Sequence, residues 1–253
     1  MNIPIDVGAI EAIALASLRM VAFIVIAPPF SYNGIPMQIK GMLAIGLGVA
    51  VAPRVSVGYQ SGDIGIFFLD LLKELAVGAT LGFLVFLVFA AIQSAGNLVD
   101  LFGGFQLAQA FDPQSMINGA QFTRMFQMTA LALLFASGGY QLIIGGLVRS
   151  YDAIPLAAGI DLADPAQEMV NGVTQMFLAS VQIAGPLIVV LFLADVGLGL
   201  LTRVAPALNA FSLGFPLKIM LTVVLAAIVF VALPGVVDGL ASTAVKTMLG
   251  VGG

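Results

Sequence analysis

The chain has 253 residues, of which 60% are hydrophobic and 9% charged, against roughly 45–50% apolar and about 25% charged in soluble domains. So few Asp, Glu, Lys and Arg side chains cannot clothe a soluble fold of this length, and a mean hydropathy of +1.12 agrees: this is a membrane protein. Nine basic against thirteen acidic residues give a net charge of −4 and no basic footprint for nucleic acid. With neither Cys nor His, the sequence excludes disulfides, thiolate and imidazole metal ligands, and nucleophilic catalysis that needs a His base.

A spanning helix needs about 20 mostly apolar residues. Six are predicted, over 7–28, 36–53, 66–101, 121–149, 165–204 and 212–246. The runs 75–99, 125–148, 169–194 and 219–237 contain no charged residue. Runs such as LGFLVFLVFAAI (81–92) are apolar on every face and lack the alternation of a membrane barrel strand, so the fold class is all-α. The third, fifth and sixth helices are longer than a bilayer requires. The N-terminal MNIPIDVGAIEAI has no basic region ahead of its apolar stretch, and no cleaved signal peptide is expected. Lys and Arg fall about equally on both sides of a six-span arrangement, so the positive-inside rule assigns no orientation. Between the first two helices, APPFSYNGIP (27–36) predicts a rigid turn. The acidic stretch 149–168 predicts a solvent-facing loop that divides the chain into a larger part, 1–150, and a helical hairpin, 151–253.

Several polar residues stand out inside apolar sequence. Arg19 lies deep in the first helix, where an isolated arginine costs ~2.5–3.5 kcal/mol on insertion scales, so it is expected to face protein or water and to have a partner. Glu11 lies on a similar face two turns earlier. Asp100 and Asp195 each end a charge-free run, and we group all four as ion-pair or packing residues. An intramembrane aspartyl protease needs a Gly-x-Gly-Asp motif beside Tyr-Asp, and only Tyr151-Asp152 is present. Gly78 and Gly82 are spaced for close helix packing. The segment 102–121, FGGFQLAQAFDPQSMINGAQ, pairs helix breakers with bulky apolar residues, a combination tolerated at membrane depth only when buried in protein or lining a cavity.

These residues resemble a known family. LRMVAFIVIAPPFSYNGIPMQIKGMLAIGLGVAVAP, with Arg19, Pro28, Phe30, Pro36, Lys40 and Pro53, is similar to the opening of the FliR family of flagellar export-gate proteins. The middle resembles it through Glu74, Gly78, Gly82, Gly96, Asp100 and Phe111-Asp112-Pro113, and the last third through Asp195, Pro206, Asn209, Phe211, Pro216 and Lys218. The resemblance implies a non-enzymatic subunit of the type III export gate in the flagellar basal body of the bacterial inner membrane. With FliP and FliQ such a subunit builds a pore for unfolded proteins, joined by FlhB and working with FlhA. It implies a FliP-like part over 1–150 fused to a FliQ-like hairpin over 151–253, without cofactors; the injectisome homologue shares the fold. Phe105, Leu107, Phe111, Asp112, Pro113, Met116 and Ile117 then become a pore plug, since apolar constrictions hold ions back by dewetting. Arg203, Asn209, Phe211, Pro216 and Lys218 become an assembly surface around a tight turn bracketed by Pro206 and Pro216. The alternative is a stand-alone secondary transporter with Asp100, Asp195 and Arg19 as ion-coupling sites, a class that usually shows internal repeats; none is visible.

Overall fold

A computed structural model describes residues 7–32, 34–56, 59, 62–105, 121–158, 163–205 and 210–250. Among the described residues the regular structure is entirely helical. The helices are α1 (Val7–Ile26), α2 (Met37–Val55), α3 (Ile64–Phe102), α4 (Gln121–Ala136), α5 (Gly139–Ala153), α6 (Ala163–Val204) and α7 (Ala210–Gly250). Five are long and apolar enough to cross a membrane, and six spans result if the bent pair α4 and α5 counts as one.

Three boundaries differ from the sequence reading. The predicted helix 121–149 is interrupted at Ser137–Gly138, where Gly138 takes φ +75°, a conformation that an L side chain resists. The predicted loop 149–168 is shorter, because α5 continues to Ala153 and places Arg149 and Asp152 on its last turns. The turn expected up to Pro216 ends earlier: α7 begins at Ala210 and Pro216 lies inside it, along with Pro234. Each proline costs the helix one donor, yet the surrounding bonds carry the ladder past it. Elsewhere the chain punctuates as its residues dictate. Gly104, at φ +82°, supplies the left-handed residue that commonly ends a helix such as α3.

The helices form two compact units. The first comprises residues up to Val88, Gly138–Val173 and Leu240 onward; the second comprises Phe89–Ser137 and Thr174–Gly239. In the first, α1 buries a broad face, with Leu15, Ala16, Met20 and Phe23 fully enclosed. Close approach explains how. A methyl at Gly48 of α2 would strike Ser17, one at Gly78 of α3 would strike the Arg19 carbonyl, and one at Gly82 would come 3.1 Å from the Phe23 carbonyl. In the second unit, Ile92, Ala95, Val99, Phe126 and Leu134 form the core. By contrast α6 and α7 leave large apolar side chains exposed, among them Phe177, Phe192, Leu193, Val224, Ile228 and Val231.

Candidate functional site

Arg19 is the polar centre of the first unit. Its side chain has no solvent exposure, and that of Glu74 has 2%. Nε donates to Glu74 Oε2 at 2.6 Å and Nη2 to Glu74 Oε1 at 3.0 Å, the bidentate fork that guanidinium and carboxylate geometry favours. Nη1 donates to the Ile154 carbonyl at 3.0 Å, with Ser150 Oγ a longer contact at 3.5 Å. The guanidinium carbon stands 4.0 Å from the centre of the Tyr151 ring, within cation–π reach. Tyr151 in turn donates its hydroxyl to the Ala16 carbonyl at 3.0 Å. Finally, the Ala157 N–H donates to Glu74 Oε1 at 3.0 Å, from a backbone held at φ +60°. One buried arginine thus ties α1 to α3, to the end of α5 and to the chain leaving it. Sequence reading found Arg19 but not Ser150 or Ala157; Tyr151 entered only as part of a protease dipeptide, and Glu74 only through the family resemblance.

Glu11 is not joined to Arg19. It accepts a hydrogen bond at 3.2 Å from the hydroxyl of Tyr59, between α2 and α3. Desolvation, then the neighbouring Glu11 carboxylate, push the Tyr59 phenol from its ordinary 10.0 up to about 12. Lys40, nearly buried, donates to the Ser31 carbonyl at 3.0 Å and so pins the proline-rich turn to α2.

The second unit is organised around Asp100, which is fully buried. Its Oδ1 accepts from the Phe122 N–H at 3.0 Å, and its Oδ2 from the Thr123 N–H and Oγ1, each at 2.8 Å. These are first-turn amides of α4, which have no partner within their own helix. Thr123 Oγ1 also lies 3.0 Å from Asn97 Oδ1. Gly96 permits the approach, since a methyl there would lie 2.6 Å from the Thr123 Cα. Aromatic rings continue the contact: Phe105 to Phe122 at 5.1 Å, Phe122 to Phe126 at 6.3 Å, Phe126 to Phe230 at 5.2 Å, all edge-to-face.

Asp195 and Lys218 meet across α6 and α7, with the carboxylate 2.6 Å from Nζ and side-chain exposures of 46% and 22%. Asp195 is therefore in an ion pair at the surface, not in the interior. Arg203 is exposed on the last turn of α6, and Pro216 is exposed within α7. Phe211 falls in the first turn of α7. Asn209 lies outside the described residues, as do Leu107, Phe111, Asp112, Pro113, Met116 and Ile117 of the expected plug; of that group Phe105 is described, against Phe122. The described residues contain no cluster of carboxylates that could hold a metal ion.

A chain whose described regular structure is helical, with apolar spans, two internally tied polar centres and broad exposed apolar faces, is a polytopic membrane protein. Residues 10–244 match the family described as bacterial export proteins, family 1, and the chain belongs to that family. It is 31% identical over 206 residues to the flagellar biosynthetic protein FliR of Escherichia coli K12, covering 80% of this chain and 77% of that one. It is 28% identical to the FliR protein of Bacillus subtilis, covering 98% of this chain and 96% of the relative. Yop proteins translocation protein T of Yersinia pestis is 28% identical over 205 residues, 79% of this chain and 78% of that protein.

Proposed function

We propose that this chain is a non-enzymatic subunit of a type III export gate in the bacterial inner membrane, and that it builds, with FliP- and FliQ-like subunits, a pore for unfolded proteins. The observation that carries the reading is the family match across 10–244 on a chain whose α6 and α7 keep large apolar side chains uncovered. Contiguous exposed apolar surface of this kind marks contact with lipid or with other subunits. Homologues of FlhB and FlhA complete the set of partners. The flagellar system is favoured because the relative covered nearly end to end is a flagellar biosynthetic protein. In this reading 1–150 is the FliP-like part, 151–253 the FliQ-like hairpin, Arg203, Asn209, Phe211, Pro216 and Lys218 an assembly surface, and 105–118 the plug that keeps the resting pore closed.

The transporter reading has less support. Arg19 is committed to Glu74, Asp195 to Lys218, and Asp100 to three donors of α4, so each would have to abandon a partner to carry an ion. The test is co-expression with FliP and FliQ homologues: the chain is expected to co-purify as one hetero-oligomer. Recovery as a free monomer that binds a small solute overturns the proposal. Deleting 107–117 from the assembled gate is expected to let ions and small solutes leak; an assembled but tight gate refutes the plug.

A further inference from the structure

We infer that the half-exposed Asp195–Lys218 pair is a docking anchor: a helix of a neighbouring subunit, apolar on one face and carrying a lysine or arginine there, lies over α6 and α7 with that cation on Asp195. The inference rests on the reading of the chain as a gate subunit and adds the chemistry of one contact.

Both residues lie on parts of α6 and α7 that belong to the second unit. Lys218 Nζ stands 2.6 Å from Oδ1 and 2.7 Å from Oδ2, and the carboxylate is the more exposed member, at 46% against 22%. Apolar side chains are exposed on either side of it along α6, Phe192 and Leu193 before it and Val196 and Leu200 after, and Met220 and Val223 follow Lys218 on α7. Neither simple medium suits such a surface. Hydrocarbon offers a half-exposed carboxylate no donor, and charged side chains at membrane depth face protein or water for that reason. Water would hydrate the carboxylate but leave the flanking apolar side chains uncovered. A protein face answers both demands. An ionised carboxylate accepts at about four sites on its two oxygens, so one ammonium leaves room for a further donor. Because the negative member is the more exposed, the fitting donor is a cation, which forms a charge-assisted bond. Access is open as well: a methyl placed at Gly199, one turn beyond Asp195, meets nothing within 4 Å, so a second helix can come close there. Apolar contact is non-directional, whereas this bond fixes one register.

The chain has no cysteine, so Phe192→Cys, one turn before Asp195, takes a single nitroxide label. The labelled chain is purified alone and with the partner subunits named above, each in phosphatidylcholine vesicles. Collisions are measured with oxygen, which concentrates in lipid, and with a water-soluble nickel chelate. Both collision rates are expected to fall several-fold on assembly; Val196→Cys supplies the measurement if Phe192→Cys does not assemble. Asp195→Leu combined with Lys218→Met leaves no stranded charge and is expected to cut recovery of the complex several-fold. Asp195→Asn, which keeps an acceptor but no charge, should fall between that variant and the wild type. An assembled complex in which the label meets oxygen as freely as in the chain alone has lipid over this face, which overturns the docking. Free collision with the nickel chelate means water there and overturns it equally. Shielding together with full recovery of the double variant leaves protein over the face but overturns Asp195 as its anchor. A wild-type chain that joins no hetero-oligomer refutes the gate reading itself, and the docking with it.

Discussion

Removing Glu74 tests the Arg19 centre most severely. Glu74→Ala deletes both oxygens of the bidentate pair and leaves a guanidinium with no solvent exposure facing one backbone carbonyl, a long serine contact and the Tyr151 ring. Breaking a buried pair from one side typically costs about 3–5 kcal/mol. The Ala157 N–H also loses its acceptor; because it is only partly buried, water replaces some of that bond, and ~1 kcal/mol is the fitting addition. A total near 4 kcal/mol or more lowers the melting midpoint on the order of 10 °C for a domain of this size. The comparison variant is Arg54→Ala, which breaks the Arg54–Asp152 pair at 62% and 56% exposure and should cost no more than ~1 kcal/mol. Arg19→Met combined with Glu74→Met removes both charges together and should recover roughly 1–3 kcal/mol of the summed single losses. The assay is thermal denaturation of the detergent-purified complex, followed by its loss from a size-exclusion profile. If Glu74→Ala melts with Arg54→Ala, or if the double variant equals the sum of the singles, the centre is not the buried charge pair described here.

Gly78→Ala drives a methyl into the Arg19 carbonyl and should destabilise by about 1–3 kcal/mol, whereas Gly41→Ala meets nothing within 4 Å and should gain up to ~1 kcal/mol of helix propensity; both are read from melting midpoints. Ala157→Gly should be tolerated, because glycine accepts φ +60°, while the β-branched Ala157→Val should lose about 1–2 kcal/mol at the same position. Tyr59 favours its protonated form when folded, with its phenol raised from 10.0 to about 12, so the unfolded chain releases this proton first. Its contribution is complete below pH 10, declines as pH rises and is gone above 12. Tyr59→Phe should flatten that part of the pH–stability curve, and an unchanged slope would contradict the assignment.

Apolar runs free of charge located the helices because length and composition are what a bilayer selects. The interruption at Ser137–Gly138 was harder to see, since the sequence is equally apolar on both sides; Ser-Gly-Gly was the available signal, and it acts through backbone conformation, not hydropathy. Spacing marked Gly78 and Gly82 as close-packing positions but said nothing of which helix they meet. Arg19 announced that it needed a partner, but nothing in the sequence says which carboxylate supplies it; the one it holds is 55 residues away. Asp100 presents the same difficulty. Its place at the end of α3 was legible, while its service to α4 depends on a contact 22–23 residues distant.

That these distant contacts are polar follows from the medium. Burial of apolar surface is non-directional, and lipid tails are as apolar as the side chains they replace, so hydrophobicity alone does not choose among registers of one greasy helix against another. Hydrogen bonds to a buried guanidinium or carboxylate do choose, because a shift of one residue leaves a charged group unpaired at a cost of several kcal/mol. A chain with 9% charged residues has few such groups, and in the first unit Arg19 and Glu74 lie where they join segments far apart in sequence. Asp100 does the same in the second. The exposed faces of α6 and α7 carry large apolar side chains beside the half-exposed Asp195–Lys218 pair, and apolar contact by itself specifies little register. The gate subunit proposed above would use that division: interiors whose register is specified by buried charge, and outer faces that stay apolar until neighbouring subunits supply the complementary contacts.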